Sequence, residues 1–409
     1  MSHVCTSVRT SVRTSGLAAC VAFLCAAGGQ GFAPHAFAQA SNNSEIESPQ
    51  PRTLKQQAPP MEAARESDIH LDQIRLPPGF RISLWASGLP NARSMTMSRN
   101  GTLFVGTRYT GNVYAVLDRG GKREVKTVLT GLHRPNGVAV RNGALYVAEV
   151  SRILKYDDID AHLDKPPQAI VVYDDLPKDE AHGWKFMTLG PDGWLYFQIG
   201  SPGNILIPPP THAKIVRVDP DHKVLETVVS GVRNSVGMDF DPQTRQLWFT
   251  NNGRDWLGDD KPNDTLHHVT RAGMNFGFPY CHEGDIVDPD FGQGHSCSEF
   301  DPPTLKLGAH VAPLGMRFYT GTQFPEEYRH NIFIAEHGSW NRTKKVGYNV
   351  SRVALDGEGK VLRYEAFATG WLQGESDWGR PVDVQMAPDG SLLVSDDVAG
   401  AIYRISYGN

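Results

Sequence analysis

The sequence has no basic block or stripe. Its 40 lysines and arginines stand against 45 aspartates and glutamates, a formal net charge of −5, so the electrostatic footprint of a nucleic-acid binder is missing. Beyond the first forty residues no apolar run approaches the length needed to cross a bilayer, and no transmembrane segment is expected. No G-x-G-x-x-G follows a strand and opens a helix, which argues against a Rossmann dinucleotide site. Helical periodicity is scarce, and so is cysteine. Of five cysteines, Cys5, Cys20 and Cys25 fall near the N-terminus, leaving Cys281 and Cys297 around the polar loop "HEGDIVDPDFGQGHS". In an exported chain such a pair most simply forms one disulfide. The competing Cys/His metal site, using His282 or His295, matches no standard zinc spacing.

What the N-terminus does contain is a leader. Arg9 and Arg13 supply a positive n-region, Leu17–Gly29 a short apolar h-region, and "AFAQA" at residues 36–40 an A-x-A-like cleavage site. Residues 1–40 therefore read as a secretory signal peptide, with a periplasmic or secreted product. "LAAC" at residues 17–20 faintly resembles a lipoprotein box, but only polar residues precede it. Residues 41–68 are polar, proline-bearing and poor in large apolar groups, the composition of a flexible arm. The remainder, 69–409, is expected to be one domain.

Glycine (41) and proline (28) are plentiful, and they punctuate a repeat. A turn carrying N-G, D-G or an equivalent is followed by an alternating apolar strand, a polar link and a second strand. Copies include "MSRNGTLFVGTRYTGNVYAV", "VRNGALYVAEVSRILKY", "GPDGWLYFQIGS", "DPQTRQLWFTNNG", "FPEEYRHNIFIAEHGS" and "APDGSLLVSDDVAGAIYRI". The N-G and D-G pairs supply the positive φ angles of tight hairpins. Six strand-rich copies without helical period predict an all-β fold, a six-bladed β-propeller, in preference to a sandwich. In a propeller the loops entering each inner strand converge on one mouth, so distant residues meet there.

The candidate functional residues are those placed just ahead of inner strands. His182 precedes its D-G turn by one short strand, and a neutral imidazole suits general-base work. Taken alone it is one of fifteen histidines, and a surface role explains it as well. Arg233 and Asn234 stand at the equivalent point of a later repeat, Arg93 and Arg380 in the first and last, and His133 and Arg134 in the second. Cations from four blades imply a pocket for a ligand with several anionic groups. The loop 251–269, with Gly253 at a tight bend, is rich in oxygen donors of the kind calcium accepts. His337, Trp340, Asn341 and Arg342 follow one another in "AEHGSWNRTKK", offering an aromatic face and donors to a planar polar ligand.

The stretches "HGWKFMTLGPDGWLYFQIG", "RNSVGMDFDPQTRQLWFTNNGRD", "AGMNFGFPYC" and "AEHGSWNRTKKVGYNVSRV" resemble the pyrroloquinoline quinone (PQQ)-dependent sugar dehydrogenases, most nearly the sorbosone dehydrogenase branch. The resemblance runs from about residue 70 to the C-terminus. It implies a six-bladed propeller with PQQ in the mouth, bridged to calcium, oxidising an aldose or sugar aldehyde and passing electrons to a quinone or cytochrome. By the resemblance, His182 is the catalytic base and Arg233 with Asn234 contact PQQ and substrate. Arg93, Arg380 and the run His337, Trp340, Asn341 and Arg342 are further cofactor contacts, and Gly253 and Arg254 offer carbonyls to calcium. The chain departs from the glucose dehydrogenase pattern where an acidic residue orients the histidine: Ser201 stands there, and Ala181 replaces the acid just before His182. Ser201, Asn204, a water or Lys185 are left to orient or tune the ring, and the changes count against glucose as substrate. Two other functions fit a propeller: a calcium-dependent lactonase or esterase, which leaves the arginines without a partner, and a non-catalytic binder of glycans or proteins.

Overall fold

The computed structural model describes residues 55–408; the expected signal peptide and the first part of the expected arm lie outside them. Six four-stranded antiparallel sheets follow one another along the chain. Blade 1 comprises Met95–Met97, Leu103–Val105, Val113–Arg119 and Lys122–Leu129. Blade 2 comprises Gly137–Arg141, Ala144–Ala148, Ile153–Tyr156 and Ile170–Tyr173. Blade 3 comprises Met187–Leu189, Leu195–Ile199, Lys214–Val218 and Leu225–Ser230. Blade 4 comprises Met238–Phe240, Leu247–Asn251, Asn263–His268 and Leu305–Ala309. Blade 5 comprises Pro313–Phe318, Ile332–Glu336, Asn349–Leu355 and Val361–Ala368. Blade 6 takes Pro381–Met386, Leu392–Asp396 and Ala401–Tyr407 from the C-terminus and its outer strand, Phe80–Ala86, from the N-terminal side. That last pairing, Phe80 against Tyr407 through Leu84 against Tyr403, closes the ring with hydrogen bonds between the two ends of the domain. The six-bladed propeller expected from the repeat is the fold observed.

Local chemistry builds the blades. In blade 2 the strands Gly137–Arg141 and Ala144–Ala148 are joined by Asn142 and Gly143 alone, at φ of 52° and 80°. Two consecutive positive φ angles define the tight hairpin that N-G favours. Middle strands such as Ala144–Ala148 and Leu195–Ile199 are buried at every position, because both faces of each blade are covered. Six apolar clusters lie between successive blades. Phe104, Val113 and Ala115 of blade 1 pack on Val138, Leu145 and Val147 of blade 2, and Leu393 and Ile402 of blade 6 close onto Leu103 and Val116 of blade 1. At roughly 25 cal/mol per Å2 of buried apolar area, these interfaces hold the ring together.

The insertion between the third and fourth strands of blade 4 carries the Cys281–Cys297 disulfide, with Cα atoms 5.4 Å apart. His282 and His295 are committed elsewhere, His282 to Asp288 and His295 to Glu299. The metal alternative at this loop is thereby set aside. From Pro60 onward the arm is tied to the blades: Asn91 Nδ2 donates to the Pro60 carbonyl and the Ala64 amide to the Ala399 carbonyl.

Candidate active site

Antiparallel order brings the start of each inner strand and the end of its neighbour to the same rim, so two rings of residues surround the mouth. The first ring precedes the inner strands: Arg93, His182, Arg233 with Asn234, His310, and Arg380. The second follows the neighbouring strands: Arg108, Asn252 with Gly253, and His337. Together with Trp184, Trp340, Asn341, Asp255 and Asp264 they line one pocket.

Nine residues anticipated from the sequence therefore meet: Arg93, His182, Arg233, Asn234, Gly253, His337, Trp340, Asn341 and Arg380. Others do not line it. The Arg254 side chain is fully buried on the far side, on Asp288 (2.5 Å) and Asp290 (3.0 Å), so only its backbone is left for a ligand. Arg342 turns to the Asp259 carbonyl and the Asp260 carboxylate. His133 and Arg134 pair with Glu180 away from the pocket lining. Conversely Arg108, Trp184, Asp255 and Asp264 were not singled out from the sequence. The signal for Arg108 is positional alone: it follows the second strand of blade 1 in a loop with no cluster of chemistry-bearing residues.

His182 is half-buried, at φ 48°, and its Nδ1 lies 2.8 Å from the backbone carbonyl of Ser201. A carbonyl only accepts, so Nδ1 carries the proton and Nε2 of the neutral ring has a free lone pair. The group that holds the imidazole is thus main chain, and Ser201 Oγ is itself buried without a partner. Gly200 is required beside it, since a Cβ there would lie 2.6 Å from the His182 Cβ. Of the other candidates for orienting the ring, Asn204 instead accepts Arg233 Nη2 on its side chain and Arg233 Nε on its backbone oxygen, and Lys185 donates to the Gly183 carbonyl. Burial, with the nearby Arg233 and Arg108 charges, pushes His182 down to about 3. Burial brings Lys185 down to about 7.

The remaining charges fall into two sets. Arg93 Nη1 meets Asp397 at 2.6 Å, His337 Nε2 donates to the other Asp397 oxygen at 2.8 Å, and Arg380 donates to the His337 and Gly338 carbonyls. Burial opposes ionisation of Asp397, but the His337 ring and Arg93 outweigh it and hold the carboxyl well below its usual range. Across the mouth, Asp255 accepts from Arg233 at 3.0 Å and Asn341 at 2.6 Å. Asp264 accepts the Gly253 and Ala312 amides, and burial lifts it to about 6. Arg108 has neither carboxylate nor hydrogen-bond partner among the described residues. Its guanidinium stacks 3.4 Å over the Trp184 ring, Nε is buried and unsatisfied, and burial lowers it to about 9.

A polar, cation-lined mouth with a buried, unsatisfied Asn234 Oδ1 fits a planar polycarboxylate with a cation beside it. Among the described residues no three His, Cys, Asp or Glu side chains are grouped to hold a metal, so a bound cation would rely on backbone and amide oxygens. Nor is any described helix long and apolar enough to cross a membrane.

Comparison with known proteins identifies a family and the fold. Residues 67–404 match a family model described as "Domain of unknown function (DUF7133)". An uncharacterized protein of Borreliella burgdorferi is 33% identical over 348 residues, covering 82% of this chain and 91% of its own length. The calcium structure of a Trichoderma reesei protein of the Carbohydrate-Active Enzymes Family AA12 superposes with a TM-score of 0.71 at 20% identity, over 87% of this chain and 99% of that one. The holo form of the pyranose dehydrogenase PQQ domain from Coprinopsis cinerea gives 0.68 at 20% identity, over 81% and 97%. The chain belongs to the DUF7133 family, and its propeller is the fold of the PQQ-dependent sugar dehydrogenases.

Proposed function

We propose that the protein is a PQQ- and calcium-dependent dehydrogenase that oxidises an aldose or a sorbosone-like sugar aldehyde, with electrons leaving to a quinone or cytochrome. Export through the N-terminal leader to the periplasm or beyond belongs to the same proposal. Arg93, Arg233, Asn234, Asn341 and Arg380 would hold PQQ, with Trp340 along its face, and the backbone carbonyls of Gly253 and Arg254 would bind calcium. When bound, the quinone accepts hydride and calcium polarises its carbonyl. His182 takes the substrate hydroxyl proton at Nε2, because its Nδ1 proton is committed to the Ser201 carbonyl. Arg233, fixed by Asn204 and Asp255, steadies the oxygen from which that proton leaves. The resulting imidazolium is disfavoured by burial and by the neighbouring guanidinium groups, so His182 releases its proton readily.

The observation that supports this reading most is the free Nε2 of an oriented, neutral His182 in a pocket where arginines from separate blades converge. A neutral lactone would present no carboxylate to this cation-lined mouth. Purified cofactor-free protein should reduce an artificial electron acceptor with sugars only after PQQ and calcium are both added. Ester hydrolysis with no cofactor requirement, and no dye reduction with any sugar, would overturn the proposal.

A further inference from the structure

We infer that Arg108 is a substrate-binding residue and that the preferred substrate is an aldose carrying a carboxylate, a uronic acid, rather than a neutral sugar. The inference rests on the dehydrogenase reading above and adds the substrate class to it.

The one carboxylate whose charge reaches Arg108 among the described residues, Asp397, is already committed to Arg93 and His337. Arg93, Arg233 and Arg380 each have hydrogen-bonded acceptors within the protein. Arg108 has none among the described residues, although its Nε is sealed from solvent. A half-buried guanidinium without an acceptor is costly unless a ligand supplies one. Trp184 fixes its plane by stacking at 3.4 Å, with Tyr109 at 4.7 Å, so the fork is pre-organised for a bidentate anion. Trp184 is two residues from His182, and the Arg108 charge is among those felt by the His182 ring. The unpaired cation therefore stands on the side of the pocket where the substrate hydroxyl must approach the base. An apolar partner would leave it unsatisfied; a hydroxyl would satisfy it only in part.

For such a substrate the chemistry balances. The uronate C1 gives its hydrogen with both bonding electrons to the quinone and its hydroxyl proton to His182 Nε2. A C=O bond forms at C1 to give the lactone, and the carboxylate on Arg108 is unchanged.

The test has a kinetic and a binding arm. In PQQ- and calcium-loaded protein, glucuronate should show the higher kcat/KM relative to glucose. Arg108→Met should reduce that ratio roughly ten- to a hundredfold, mainly through KM, with Arg108→Lys restoring part of it. In the binding arm, methyl glucuronide and methyl glucoside, blocked at C1, are titrated calorimetrically into the wild type and Arg108→Met. Glucuronide binding lost in the variant supports the anion site even if no PQQ-dependent turnover is found, an outcome that would sink only the dehydrogenase reading. Three results overturn the inference: glucose handled as well as glucuronate, both sugars affected equally by the variant, or weakened PQQ binding with an unaltered sugar ratio.

Discussion

Two sides of the same mouth handle charge in opposite ways. Between blades 5, 6 and 1, Arg93, Asp397, His337 and Arg380 form a closed network in which each group has a partner within hydrogen-bond distance. Between blades 1 and 3, Arg108, Trp184 and His182 contain a cation and a base and no carboxylate at all. In the first set every charge is balanced inside the protein, and a bound cofactor would add to contacts already made; in the second the guanidinium is left for a ligand to balance. A residue such as Asp397 thus serves chiefly to keep a buried arginine in place, whereas the lack of its counterpart beside Arg108 leaves that charge for something else.

The comparison can be broken most forcefully at His182. Replacing it by alanine should lower PQQ-dependent kcat by roughly 10²- to 10⁴-fold, the range for loss of a positioned base, while PQQ retention is kept. Steady-state rates beside a cofactor titration would show it, and retained turnover would remove the base assignment. Next in size is stability. Arg93→Met leaves the buried Asp397 without its charged hydrogen-bond partner, with only the His337 ring to hold it, and should cost about 3–5 kcal/mol, whereas Arg108→Met removes a charge with no acid partner and should leave the cofactor-free fold as stable or more so. Chemical unfolding of both variants checks this, and equal losses would erase the distinction between the two sides.

A smaller effect concerns pH. His182 is held down to about 3 and His337 to about 4, chiefly by burial, against roughly 6.5 in an unfolded chain. Folding therefore favours the neutral rings. The stability they contribute is present above about pH 6.5 and is lost as pH falls toward the folded values. The acid limb of kcat/KM should accordingly lie well below pH 6.5, and a limb at 6.5 would show that His182 titrates as an ordinary histidine. The smallest change is expected from Ser201→Ala. Because the carbonyl and not the hydroxyl holds His182, stability should shift by no more than about 0.5 kcal/mol, and rates should change little.

Much of the fold was legible because its signals are local. N-G and D-G turns between period-two strands are written in consecutive residues, as at Asn142 and Gly143. The closure of blade 6 by Phe80–Ala86, and the late fourth strand of blade 4 beyond the disulfide loop, depend on pairings between distant segments and leave weaker traces. In the site, the ring ahead of the inner strands was readable from its regular offset. The ring at the ends of the second strands has no such offset: His337 and Gly253 stood out only through the composition of their loops, and Arg108, in a loop without such a cluster, did not. What orients His182 was beyond sequence reasoning altogether, since a backbone carbonyl has no residue signature.

The most direct measurement is a calorimetric titration of the purified, cofactor-free protein with PQQ in the presence of calcium. One saturable site per chain is expected, weakened by chelating calcium and by Arg233→Ala. Absence of saturable binding, with calcium present and the protein folded, would contradict the assignment of this pocket to PQQ.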